Sequence, residues 1–147
     1  MNYRKAAEEE LRAYTDLKGS LSNIKQRIAM LEDKSISVRA ASSSTTPVMG
    51  GGNRYEEALI DCMAEKARLT ELLKVNWRRV QLIERGLKAL DETERAVINR
   101  FFICDMRPEA AINCLIEELG YERAQIYRVR NRALYRYTIA EFGLPEL

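Results

Sequence analysis

Leu115–Tyr137 reads LIEELGYERAQIYRVRNRALYRY: the end of one short helix, a glycine turn, and a long helix studded with arginine. Upstream of the turn, Ala110–Leu119 carries Ala111, Cys114, Leu115, Ile116 and Leu119 at helical spacing, a wide apolar stripe. Gly120 stops that helix, because glycine alone takes the positive φ of a helix C-cap without strain. Beyond it, Ile126, Val129, Ala133, Leu134 and Tyr137 recur at intervals that mark one inner face. The outer face is left to Glu122, Arg123, Gln125, Arg128, Asn131 and Arg132. Five arginines against Glu122 give Glu122–Tyr137 a local net charge of +4, although the whole chain carries only +2. A helix that enters a DNA groove needs such a local field.

Arginines on a surface helix are ordinarily just solvated charge. Here their position argues for more, since they lie opposite the apolar stripe and directly after a helix and a turn. Arginine, glutamine and asparagine are the side chains that read guanine and adenine edges bidentately. The candidate DNA-contacting set is Glu122, Arg123, Gln125, Tyr127, Arg128, Asn131 and Arg132, on a helix expected over 122–137.

The residues before this pair complete a three-helix unit. Asp91-Glu-Thr-Glu94 has the spacing of a capping box, in which each end satisfies a backbone N–H of the other. It opens a helix whose Val97, Ile98, Phe101 and Phe102 form an apolar cluster. Asp105-Met-Arg-Pro108 ends that helix and begins the next, proline being tolerated at a first helical position.

Leu90, Glu94, Arg95, Val97, Ile98, Arg100 and Phe101, followed by Leu119-Gly120 and then Ile126, Arg128 and Arg132-Ala133-Leu134, resemble region 4 of bacterial sigma factors. The stretch GYERAQIYRVRNRAL is similar to the phage late-gene transcription regulators of the ArpU and RinA type, which share that fold. The resemblance covers about a third of the chain, roughly Leu90–Tyr137. It implies promoter DNA and RNA polymerase as partners and activation of bacteriophage or prophage late genes as the role. Two positions depart from the pattern. Glu122 stands where the family usually has a capping serine, and it would favour the helix macrodipole while repelling a phosphate. Ile116 stands where a small residue is usual, and its bulk is expected to spread the two helices.

The rest of the chain has another rhythm. Tyr55, Leu59, Cys62, Lys66, Leu69, Leu73, Asn76, Val80, Ile83, Leu87 and Leu90 fall at alternating gaps of four and three, a coiled-coil seam along one helix over 55–90. Such a helix would be roughly 55 Å long and needs a partner for its apolar face. Tyr14, Leu17, Leu21, Ile24, Ile28 and Leu31 follow the same rhythm in a helix expected within 1–32. Residues 33–54 contain AASSSTTPVMGGG, which reads as a flexible loop. The helices then pair within one chain or between chains; an intramolecular hairpin that also presents a seam for a homodimer is the favoured arrangement. Leu59, Lys66, Leu69, Leu73, Asn76, Val80 and Ile83 are the candidate oligomerisation residues. Lys66 and Asn76 either set register as seam polar groups or reach solvent at its edge. Trp77, beside Arg78 and Arg79, reads as core or as a partner-binding spot.

The expected architecture is all-α: a long N-terminal helical hairpin or coiled coil, then a helix-turn-helix domain over 91–147. With 147 residues and 46% hydrophobic content, the chain can bury a core, and no apolar run reaches the length of a membrane span. No signal-peptide core is evident, so a cytoplasmic location is expected. Cys62, Cys104 and Cys114 lack CxxC spacing and there is no histidine, which points to reduced core cysteines and to neither metal nor cofactor. Without histidine or a phosphate-cradling glycine loop, no enzyme is expected. Three functions remain. The first is a sequence-specific transcription activator, and the second a DNA-packaging recognition subunit similar to phage small terminases. The third is a sigma-like protein-interaction module, favoured by three basic against seven acidic residues in Asp91–Gly120.

Overall fold

The computed structural model describes residues 2–44 and 52–143. Five α-helices follow one another, with no strand among the described residues: α1 Tyr3–Ser44, α2 Gly52–Lys88, α3 Glu92–Ile98, α4 Pro108–Leu119 and α5 Arg123–Phe142. A π-helical turn, Asn99–Ile103, continues α3. The fold is all-α, and none of the described helices is long and apolar enough to cross a membrane.

Two boundaries differ from expectation. Residues 33–44 belong to α1 and residues 52–54 to α2, so most of the expected loop is helical; residues 45–51 lie outside the described residues. The reason is the seam, which Ser35 and Val38 continue beyond Leu31 as half-buried positions at the same spacing. Serine has only a modest helix cost, so a packed face overrides a loop-like composition. The second difference lies in how the helices group: residues 1–17 and 78–147 form one compact unit and residues 18–77 another.

In the unit of residues 18–77, Asn76 donates to the Ser20 hydroxyl at 3.0 Å and Lys66 pairs with Glu32 at 3.0 Å. These cross-links run in opposite senses along the chain, so the helices are antiparallel within one molecule. Ile24, Cys62 and Leu69 are buried between them. Both polar seam residues thus have partners on the facing helix, which favours one register over its neighbours. Trp77 is 52% exposed and is not core.

In the other unit, α3, α4 and α5 pack with the first turns of α1 and the last turns of α2. Ala7 and Leu11 of α1 and Ile83 of α2 are fully buried. A Cβ on Gly86 would lie 2.5 Å from the Tyr137 ring, so α2 approaches α5 as closely as only glycine allows. Arg85 extends the junction by donating to the carbonyls of Ala140 and Glu141 at 3.2 and 2.9 Å, satisfying the end of α5. The seven residues assigned to oligomerisation fall on the seam that pairs α2 with α1. Leu69, Val80 and Ile83 are buried within the monomer, and Leu59, Leu73 and Asn76 are half-buried. Lys66 is exposed beside its Glu32 partner.

The capping box forms as expected, with Glu94 N–H donating to Asp91 at 2.8 Å and Asp91 N–H to Glu94 at 3.2 Å. The π-helical turn keeps Phe101 and Phe102 both inward, closed by Cys104 N–H donating to the Asn99 carbonyl at 2.8 Å. Cys104 is exposed, not core. Pro108 opens α4, whose buried residues are Ala111, Ile112 and Leu115. Ile116 is 39% exposed, so its bulk faces outward and no helix spreading follows from it. Gly120 caps α4 in the left-handed conformation at φ 68°.

Candidate nucleic-acid interface

Helix α5 begins after Glu122, which is its extended N-cap residue and makes no side-chain cap bond. It continues beyond the expected end at 137 to Phe142, because Thr138 and Glu141 prolong the buried face. Ile126, Val129, Ala133, Leu134 and Tyr137 point into the core as their spacing requires. Gln125, Arg128, Asn131, Arg132 and Tyr135 are exposed on the other side. The expected reading face therefore exists as a face, presented directly after α4 and its glycine turn.

Individual residues on it differ in availability. Arg123 is held in a bidentate pair with Glu109 at 2.9 and 2.6 Å, which ties the start of α5 to the start of α4. The same pair keeps the Glu109 carboxyl below its ordinary range. Tyr127 turns away from the face and is half-buried, its ring 6.2 Å from Phe101 with the Arg130 guanidinium 4.9 Å above it. Those contacts leave it less of its surface than the exposed residues of the face have. Arg128 donates to its own helix, at the Ala124 carbonyl at 3.4 Å, and has no carboxylate partner among the described residues.

Glu94 decides the charge of the far flank. Its carboxylate is fully buried, accepts from Arg136, and lies 3.7 Å from Arg132 Nε. Arg136 also donates to the Ala89 carbonyl at 3.0 Å. Hydrogen bonds from the Glu94 backbone, then from its side-chain neighbourhood, hold the Asp91 carboxyl below its usual value. Local spacing revealed Glu94 only as a capping residue; nothing near it in sequence points across to α5.

On the near flank, the guanidinium of Arg4 in the first turn of α1 donates to Asn131 Oδ1 at 3.2 Å. Asn2 accepts from Lys5 N–H at 3.1 Å and so caps that turn. Neither Arg4 nor Lys5 was expected near the site, and no periodicity upstream of Tyr14 signals it. Lower on the same helices, Glu141 is buried beside Tyr137, and burial raises its carboxyl to about 7, with the nearby Glu10 charge adding to the effect. Glu10 itself is held by Arg79 at 2.5 and 3.3 Å.

No family model, no curated protein and no solved structure matches this chain.

Proposed function

We propose that this protein is a sequence-specific DNA-binding transcriptional regulator that reads the major groove with α5. The observation that carries the reading is the exposed face of Gln125, Arg128, Asn131 and Arg132 on a helix delivered by α4 and Gly120. Gln125 and Arg128 are the base-reading pair, since arginine suits guanine and glutamine suits adenine. Arg123 and Arg132 stand beside them with their charges partly met inside the protein. The resemblance to sigma region 4 and to late-gene regulators of the ArpU and RinA type extends the reading to activation of phage late genes through RNA polymerase. A homodimer fits a half-site reader. Exposed apolar residues of the 18–77 unit that could serve it include Met30, Ile36, Ile60 and Met63, at 56–69%, as well as Leu72, Val75 and Trp77, at 37–52%.

A second reading, a module that binds a protein and no DNA, is favoured by one observation. Carboxylates of the same chain meet Arg123, Arg132 and Arg136, which lowers the field available to DNA. A DNA-packaging recognition subunit of the small-terminase kind remains the third reading and differs by its assembly into a ring.

Selection of bound duplexes from a random-sequence library, followed by mobility shifts at several salt concentrations, separates these readings. The DNA reading expects a recovered motif and affinity that falls steeply with salt. Arg128→Ala should weaken binding to that motif by about 1–3 kcal/mol and relax the preference at one position. Failure to enrich any motif, with no duplex affinity at low salt, refutes the reading in favour of the protein module. Light scattering on the same sample reads the mass, a dimer supporting the first reading and a large ring the third.

A further inference from the structure

We propose that the first turn of α1 is a second DNA contact, with Arg4 and Lys5 engaging phosphate oxygens on the strand that flanks the groove occupied by α5. The inference rests on the DNA-binding reading above and adds to it an element more than a hundred residues away in sequence. The Arg4 guanidinium donates to Asn131 Oδ1 at 3.2 Å, and Asn131 sits between Arg128 and Arg132 in sequence on α5. Arg4 therefore stands beside the middle of the reading helix. An α-helix with side chains is about 10–12 Å across and the major groove about 12 Å wide, so a docked helix has phosphates along both flanks. A cation held against the side of such a helix meets the backbone.

Charge and placement agree. Arg4 and Lys5 are exposed, and neither is paired with a carboxylate among the described residues. Of the nearest acids in sequence, Glu8 pairs with Arg12 at 3.5 Å and Glu10 with Arg79 at 2.5 Å, while Glu9 is exposed and makes no ion pair with either cation among the described residues. Asn131 is a neutral acceptor, so the full charge of Arg4 remains for a phosphate. The turn is also rigid. Asn2 caps it, Tyr3 packs its ring 5.4 Å from that of Phe142, and Ala7 is fully buried one turn on. A preset cation loses less freedom on binding than one on a loose arm. Contacts of this kind position a protein on DNA and carry no base preference.

The test compares the full chain with Arg4→Ala/Lys5→Ala and with Arg4→Lys, on a selected duplex and on a random-sequence duplex. The double variant should weaken binding about tenfold on both, the scale of a lost charge-assisted contact. Its dependence of log affinity on log salt should be shallower by about 1–2, since each phosphate contact contributes roughly 0.9. Arg4→Lys should keep most of the affinity and the slope. Unchanged affinity and slope, with the unaltered protein binding normally, overturns the proposal alone. A loss confined to the selected duplex with unchanged slope also overturns it, because Arg4 would then only orient Asn131. A protein that binds neither duplex overturns this proposal together with the DNA-binding reading.

Discussion

Replacing Gly86 with alanine sets two known effects of that substitution against each other. In a helix interior the change removes glycine's backbone-entropy cost and should stabilise by about 0.8–1 kcal/mol. At Gly86 the added Cβ would stand 2.5, 2.7 and 3.2 Å from Cε2, Cδ2 and Cζ of Tyr137. Real carbon atoms do not approach that closely, and Tyr137 has no exposed surface through which to retreat. Overpacking of this kind costs about 1–3 kcal/mol, and the closeness of the contact puts it in the upper part of that range. The net expectation is destabilisation of about 1–2 kcal/mol. Gly19 supplies the control, because it lies inside α1 with no atom within 4 Å of its Cβ position, so Gly19→Ala should stabilise by about 1 kcal/mol. Urea unfolding followed by circular dichroism at matched protein concentration measures both. Equal stabilisation by the two substitutions would refute the close packing of α2 on α5 and, with it, the placing of the end of α2 in one compact unit with α3, α4 and α5.

Glu94→Ala should lower stability by about 2–4 kcal/mol through loss of the capping box and of a buried charge-assisted bond, and at the same time raise affinity for random duplex DNA by releasing Arg132 and Arg136; unchanged duplex affinity in a folded variant would show that those arginines lie outside the interface. The pH dependence follows from Glu141, whose carboxyl in the folded protein is raised from the ordinary 4.5 to about 7 by burial. Because the folded value exceeds the unfolded one, this contribution is fully present below about pH 4.5 and lost as pH rises towards 7. Thermal melts should therefore show a fall in stability across that window that Glu141→Gln flattens, and parallel profiles for the two proteins would contradict the buried carboxyl.

Local signals were readable where one residue's chemistry suffices. The capping box of Asp91 and Glu94, the left-handed Gly120 and the proline at the start of α4 each act within one turn of helix. The long seam of α2 was also readable, because its regular spacing outweighs its polar members. Illegible features depend on what lies across space. Ile112 and Ile116 are a turn apart on α4 and equally apolar, and only the facing helices decide that the first is buried and the second exposed. Tyr127 reads as an outer aromatic until Phe101 is placed beside it by a π-helical turn. Arg123 belongs to the outer face, yet Glu109 has already engaged it. Ala7 and Leu11 were hidden among acids and small residues, so the amino-terminal turns gave no hint of packing with α3, α4 and α5.

The division of the chain has a consequence for how it is made. Residues 18–77 are inserted in sequence between the two pieces of the other compact unit, residues 1–17 and 78–147. During synthesis Ala7 and Leu11 leave the ribosome with their final neighbours still untranslated, and they must wait while the whole inserted hairpin is produced. Synthesis at about 5–20 residues per second makes that delay several seconds, long compared with helix formation and hairpin closure. An antiparallel hairpin whose two helices are contiguous in sequence can close within that interval, before residues 78–147 are made. The fold thus makes one compact unit from two stretches of chain that are translated several seconds apart.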